Sequence, residues 1–118
     1  MYTVCVKATR HNSGPIIYPG LHKSIGTNIN GPSLIRVPDW VASPLGKLYL
    51  YFAHHKGTSI RLAYADQMIG PWVFLPEPVL TVEQSLFVTK DLDPNSRNHW
   101  VNGPDYLYAH IASPDVHV

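Results

Sequence analysis

KLYLYFAHHKGTSIRLAYA, residues 47–65, is the stretch that decides the fold. Residues 47–55 form a predicted strand whose side chains alternate between two faces, and both faces are apolar. A short turn at residues 56–58 joins this strand to a second one over residues 59–65, so the two are expected to form a hairpin. Because neither face is polar, the pattern predicts a sheet that is covered on both sides.

Further strand signals flank the hairpin. Residues 33–37 are predicted to form a strand that Pro38 ends, and residues 72–75 a fourth strand that is closed by the prolines after it. Four short antiparallel strands with tight connections make up one blade of a β-propeller. The sequence therefore predicts an all-β protein with a blade over residues 30–80. A four-stranded meander in another small β domain is the alternative, because periodicity alone does not exclude it.

Composition and charge agree with this class and exclude others. The chain has 118 residues, room for one domain at most, and 45% hydrophobic against 14% charged residues is not the composition of a disordered chain. Lys and Arg are scattered and the formal net charge is +1, so we expect no nucleic-acid and no membrane partner. The N-terminus lacks the apolar run of a signal peptide, which leaves the localisation unknown. Cys5, the single cysteine, is expected to be a buried apolar residue.

A weak internal repeat points to a second blade. Residues 32–35 (PSLI) are echoed by residues 114–117 (PDVH), each after a small residue and more than one ordinary blade apart. We therefore expect an inter-blade insertion at residues 86–109 and the first strand of a second blade at residues 110–118. A lone blade with exposed edges is not expected to be stable, so residues 1–118 are interpreted as an N-terminal fragment of one propeller domain.

Four segments together resemble uncharacterised members of the five-bladed propeller superfamily that holds arabinanases, β-xylosidases and levansucrases. They are NINGPSLIRVPDW (28–40), LYLYFAHHKG (48–57), RLAYADQMIGPW (61–72) and HIASPDVHV (110–118). Ala-Tyr-Ala-Asp, a turn and then Gly-Pro-Trp is the usual passage from the third to the fourth strand of a blade in these enzymes. The resemblance covers residues 15–85 and 110–118, and it implies a five-bladed β-propeller of which this chain holds the first blade and the start of the second.

The resemblance implies a glycoside hydrolase-like protein that acts on or binds carbohydrate in the propeller funnel. In that superfamily the first blade offers an Asp directly before a Pro, the second blade another Asp, and a later blade a Glu as general acid. Here Gly-Pro with Asn30 in front stands at the first position, and Asp39 is expected at the outer end of that strand. Asp115 follows its proline instead of preceding it, and it is the candidate catalytic residue of this chain.

Two other functions stay open. Hydrolysis of a glycosidic bond needs two carboxyl groups, and this chain is credited with one. The alternative is a non-catalytic carbohydrate-binding propeller that has lost the blade-one carboxylate, and a third is a purely structural or protein-binding propeller. No cofactor is expected, although a structural cation in the central channel is compatible with the resemblance.

Five polar residues are the candidates for binding the carbohydrate. They are Asn28, Asn30, His54, His55 and His117. Amides suit sugar hydroxyls because they both donate and accept, with turn chemistry as the alternative role of the two asparagines. Asp115 and His117 lie two apart on a predicted strand and should share a face, whereas the adjacent histidines 54 and 55 should point to opposite faces. No metal site is therefore expected there, and packing is the alternative role of each histidine.

The three tryptophans are predicted to have different roles, because one lies in a predicted strand and two lie in predicted loops. Trp72 is the first residue of the predicted fourth strand and is predicted to pack within the blade. Trp40 and Trp100 lie in predicted loops, where stacking on a sugar ring stays open.

Overall fold

The computed structural model describes residues 4–10, 14–90 and 109–118, and it confirms an all-β chain. A five-stranded antiparallel sheet holds the strands of these residues, and one 3-10 turn, Pro19–Leu21, precedes it. The strands are β1 (Ile29–Arg36), β2 (Leu48–His54), β3 (Ser59–Ala65), β4 (Val73–Phe74) and β5 (Leu80–Thr81). They are arranged in the order β1-β2-β3, with β4 and β5 both paired to the far edge of β3.

The predicted hairpin is present and has a regular register. β2 and β3 pair without interruption from Leu48 opposite Ala65 to Ala53 opposite Ile60. The turn between them is closed by the Gly57 N–H, which donates to the carbonyl of His54 at 2.8 Å.

Each face of the hairpin carries a hydrophobic core of its own, as the alternation of apolar residues predicts. On one side, which we call the Phe52 face, Phe52 and Ala63 pack with Ile25 from the segment before β1. On the other side, the Ala53 face, a second cluster is formed by Ala53, Ile60, Val82 and Ile111. Burying one side chain of this size contributes about 1.5–3 kcal/mol, so a sheet covered on both sides gains more than one that is open to water.

The first strand begins earlier than predicted, at Ile29. A bulge between Asn30 and Ser33 interrupts its pairing with β2 and accommodates Gly31, whose φ is +59°, and a proline that cannot donate to the ladder. The Asn-Gly-Pro sequence is typical of a turn, and for that reason the sequence pattern predicts a start at residue 33. Asn30 is consequently a strand residue, opposite Ala53.

The outer strand of the sheet is broken into two pieces. β4 is shorter than the predicted strand at residues 72–75, and β5 was not predicted. Pro76 and Pro78, which lack an N–H, separate the two pieces. The Leu75 and Val79 N–H groups still donate to β3 carbonyls at 2.9 and 3.0 Å, so both pieces follow the same edge.

The segment at residues 109–118 lies against the Ala53 face. The Ile111 N–H donates to the Gly57 carbonyl at 3.0 Å, and the Val116 N–H donates to Ser33 Oγ at 2.9 Å. It has no strand pairing with the described sheet, so its interpretation as the first strand of a second blade stays a prediction. Most of the predicted insertion at 86–109, with Trp100, lies outside the described residues.

Residues 4–10 form neither strand nor helix. Cys5 is exposed, and its neighbours Val4 and Val6 are 83% and 85% exposed, so this segment does not pack on either core. The prediction that Cys5 is buried is therefore wrong. In the part of the chain that the structure describes, no helix has the length and apolar character needed to cross a membrane.

Candidate functional site

Four of the six predicted site residues meet at one end of the sheet. Because Ile29 pairs with His54, the beginning of β1 lies beside the end of β2. The Asn28 N–H donates to His54 Nδ1 at 3.2 Å, and the Asn28 carbonyl accepts from the His55 N–H at 2.8 Å. We call Asn28, Asn30, His54 and His55 the Asn–His cluster.

Asn30 is engaged by His55 within this cluster. Its Nδ2 donates to His55 Nδ1 at 2.9 Å, while its Oδ1 is buried without a partner among the described residues. An imidazole that accepts at Nδ1 carries its proton on Nε2, so the asparagine sets the tautomer of this ring. The His55 ring also lies 6.4 Å from the ring of His110, on the Ala53 side of the sheet. The geometry gives Asn30 the role of positioning His55.

His54 is held in the same way on the opposite face. Its Nδ1 lies 3.2 Å from the Asn28 N, whose N–H it can accept, and 3.3 Å from the Asn28 carbonyl oxygen, to which it can donate, so either tautomer of the ring can bind the Asn28 backbone. The ring lies against Gly26, whose φ is +86° and where a Cβ would come within 2.6 Å of His54 Cγ. The side chains of the two histidines thus lie on opposite faces of the sheet. In residues 4–10, 14–90 and 109–118, no group of three His, Cys, Asp or Glu is suited to hold a metal ion.

A groove of about 560 Å³ runs beside the Asn–His cluster. One wall is formed by residues 15–19 and the other by the beginning of β1 with Leu50 and Phe52. The lining is mainly apolar, with Thr27 and the two asparagines of the cluster as polar groups. Tyr18, which sequence reasoning did not single out, is 45% exposed along this wall.

Asp115 and His117 form a separate pair. Their side chains share a face, as predicted, with His117 Nε2 at 2.9 Å from Asp115 Oδ1. The side chains are 82% and 79% exposed, so the pair contributes little to stability. They flank Val116, whose backbone binds Ser33 in the middle of β1.

Arg61 is a buried polar residue of the described part of the chain, and it is not among the residues that the sequence pattern predicts for a site. It is 6% exposed and donates to the Ser24 carbonyl at 3.1 Å, to Ser24 Oγ at 2.8 Å and to the Pro76 carbonyl. The guanidinium also lies 5.2 Å from the centre of the Phe74 ring. Burial lowers the pKa of Arg61, and the negative charge of Glu77 opposes that shift. The signal in the sequence was an arginine at an inward position of an otherwise apolar strand.

The tryptophans are arranged as expected where the structure describes them. Trp72 packs against the core of the Phe52 face and donates from Nε1 to the Met68 carbonyl at 3.1 Å. Trp40 is 78% exposed, in the loop between β1 and β2.

Comparisons with known proteins add one relative. No family model matches the chain, and no solved structure matches it. An alignment 66 positions long, which covers 50% of the chain, is 38% identical to an uncharacterised protein of Acanthamoeba polyphaga mimivirus. The chain spans 18% of that protein's length.

Proposed function

We propose that this chain contributes the first blade, and the start of the second, of a five-bladed β-propeller that binds carbohydrate. The observation that carries the proposal is the groove beside the Asn–His cluster, which joins an exposed aromatic ring to exposed polar groups. The sheet order β1-β2-β3 with a broken outer strand is compatible with a propeller blade. Its two covered faces support the same interpretation, since each blade of a propeller packs between two neighbours.

The groove has the two kinds of surface that a sugar ring requires. A sugar has apolar C–H faces, which favour an aromatic platform such as Tyr18, and hydroxyls, which favour groups that donate and accept. Asn28 is exposed in the groove, and its hydrogen bonds to the histidines are made by the backbone. Its side-chain amide is therefore the polar group that we assign to the ligand. Asn30 also lines the groove, but its amide is engaged by His55.

The described residues that line the groove favour carbohydrate binding without hydrolysis. No Asp or Glu of the described residues lines the groove, and the residue in the blade-one position is Asn30, whose amide is engaged by His55. Hydrolysis would need two carboxyl groups on either side of the bond.

A direct test is calorimetry of the complete protein with a panel of oligosaccharides. We expect Tyr18→Ala and Asn28→Ala each to weaken binding about tenfold, as loss of a stacking platform or of a ligand hydrogen bond does. Trp40→Ala is the matched control, because this exposed aromatic residue lies outside the groove. If the protein bound no glycan of the panel, or if Trp40→Ala alone weakened binding, the groove would be excluded as the carbohydrate site.

A second candidate function is glycoside hydrolysis, supported by the Asp115–His117 pair. A carboxylate 2.9 Å from an imidazole and open to solvent is accessible to a substrate. If Asp115 acts in catalysis, Asp115→Asn abolishes hydrolysis of aryl glycosides, while Tm stays nearly unchanged because the side chain is 82% exposed. Activity retained by this variant would exclude the catalytic role.

A further inference from the structure

A small cavity on the Phe52 side of the sheet is separate from the groove. Its volume is about 180 Å³, and it lies between the segment before β1 and the β2–β3 turn. The lining combines one buried cation, one histidine and three hydroxyl groups with two glycines and one isoleucine. The residues are Ser24, Ile25, Gly26, His54, Gly57, Thr58, Ser59 and Arg61.

The described residues that line this cavity include a positively charged side chain and no negatively charged one. Arg61 is buried, yet no Asp or Glu of the described residues lines the cavity, and none forms an ion pair with its guanidinium. Its partners are two carbonyls, the Ser24 hydroxyl and the Phe74 ring, which bind the guanidinium without cancelling its charge. A buried positive charge attracts an anion more strongly than an exposed one does, and Glu77, whose negative charge acts on Arg61, does not line the cavity.

His54 adds an imidazole ring of fixed orientation to the same cavity. Its Nδ1 lies 3.2 Å from the Asn28 N and 3.3 Å from the Asn28 carbonyl oxygen, and its ring lies against Gly26, so the ring is held in place. The tautomer in which Nδ1 accepts the Asn28 N–H carries its proton on Nε2 and is the one that can donate to a ligand there. Ser59 and Thr58 contribute hydroxyls, which donate as readily as they accept. Convergent donors around a positive charge are the chemistry that binds an oxyanion.

We propose that this cavity is a binding site for one small oxyanion of the carboxylate or phosphate class. The anion would accept from His54 Nε2–H and the hydroxyls and would lie beside the Arg61 guanidinium. The cavity is small compared with sites for drug-sized ligands, so we expect it to hold a single oxyanion group and no complete sugar. The proposal stands on this cavity alone and does not depend on carbohydrate binding in the groove.

The test is a titration of the complete protein, labelled with ¹⁵N, with inorganic phosphate and, separately, with acetate. We expect saturable shifts of the Arg61 Nε–H and the His54 ring signals with at least one of the two anions. The anion that binds more tightly shows whether the site prefers a phosphate or a carboxylate group. Wild-type protein that shows no saturable shift at these groups with either anion overturns the proposal, and this outcome depends on no variant.

Two substitutions of His54 separate donation to the anion from the structural role of the ring. His54→Asn keeps an acceptor near the Nδ1 position for the Asn28 N–H and removes the Nε2–H donor, so we expect binding about tenfold weaker. His54→Gln keeps an N–H near the Nε2 position, so we expect binding within about threefold of wild type. Equal affinity of wild type and His54→Asn would contradict the proposal.

Arg36→Gln is the control for the loss of charge. Arg36 is exposed at the opposite end of the sheet, where it pairs with Leu48, and it does not line the cavity. We expect its substitution to leave the affinity for phosphate and acetate unchanged. If Arg36→Gln lost as much affinity as His54→Asn, anion binding would depend on the overall charge of the protein, and the proposal of a site in this cavity would be overturned.

Discussion

Asn30 and His55, 25 positions apart in the chain, are joined by a 2.9 Å hydrogen bond from the asparagine Nδ2 to the histidine Nδ1. The bond connects the first strand to the residue that follows the second, at the point where the bulge interrupts the backbone ladder. A side chain thus makes a connection between the strands beside the place where regular pairing stops, and it fixes which ring nitrogen of His55 carries the proton.

Removing this bond should release the tautomer of His55. We expect Asn30→Ala to lower the free energy of unfolding by about 1 kcal/mol, the usual net contribution of one hydrogen bond. Its His55 ring should also populate both tautomers, which ¹⁵N spectra of the imidazole distinguish. Asn28→Ala is the control, because Asn28 binds the histidines through its backbone, and the His55 ring should keep Nε2–H. An unchanged His55 tautomer in Asn30→Ala would contradict the assignment.

A methyl group at Gly31 should displace the segment at residues 109–118. A Cβ there would clash with the Ser113 Cα, and the φ of +59° adds about 1–2 kcal/mol for any residue with a side chain. We expect Gly31→Ala to abolish the hydrogen-exchange protection of the Val116 N–H. Gly14→Ala serves as the control, since nothing lies within 4 Å of its Cβ position, and it should leave that protection intact. Protection retained in Gly31→Ala would mean that the segment does not depend on this approach.

The Phe52 face should be sensitive to truncation where it is covered and tolerant where it is open. Phe52 is 2% exposed, so Phe52→Ala should destabilise the fold by about 3–5 kcal/mol. Leu34 is 44% exposed, so Leu34→Ala should cost less than about 1 kcal/mol. Urea unfolding of the two variants measures both values. Equal losses would mean that Leu34 is covered in the protein in solution.

Alkaline pH should destabilise the sheet through Tyr51. Burial, and to a smaller extent the neighbouring Tyr49, raises the pKa of Tyr51 above 10.0. Because the unfolded chain ionises first, this stabilisation is complete below pH 10.0 and is lost as the pH rises through the folded-state pKa. Tyr51→Phe should therefore lose less stability than wild type between neutral and strongly alkaline pH. Parallel loss in both proteins, measured by urea unfolding, would argue against a shifted Tyr51.

The elements that the sequence predicted well are those with local signals. The β2–β3 hairpin follows from alternating apolar residues and a glycine in the turn, and the structure has it at nearly the expected boundaries. β1 was predicted too short because Asn-Gly-Pro is typical of turns, while pairing with β2 carries the strand through it as a bulge. β5 was missed because two prolines interrupt the outer strand and only the edge of β3 keeps it in line.

The candidate site was predicted in its residue types more than in its geometry. Local spacing was enough to predict that Asp115 and His117 share a face. The engagement of Asn30 by His55, and the cavity around Arg61, depend on the register between strands and on the segment before β1. No pattern within one segment carries that information.

The contact between Ser33 and Val116 joins residues 83 positions apart, and this separation has a consequence for how the chain acquires its fold. Contacts between residues so far apart in the chain form late, after local ones such as those of the β2–β3 hairpin. At about 5–20 residues per second, synthesis of the chain from Ser33 to Val116 takes about 4–17 seconds. Until the segment at residues 109–118 has been made, the part of the nascent sheet that it covers stays exposed to solvent.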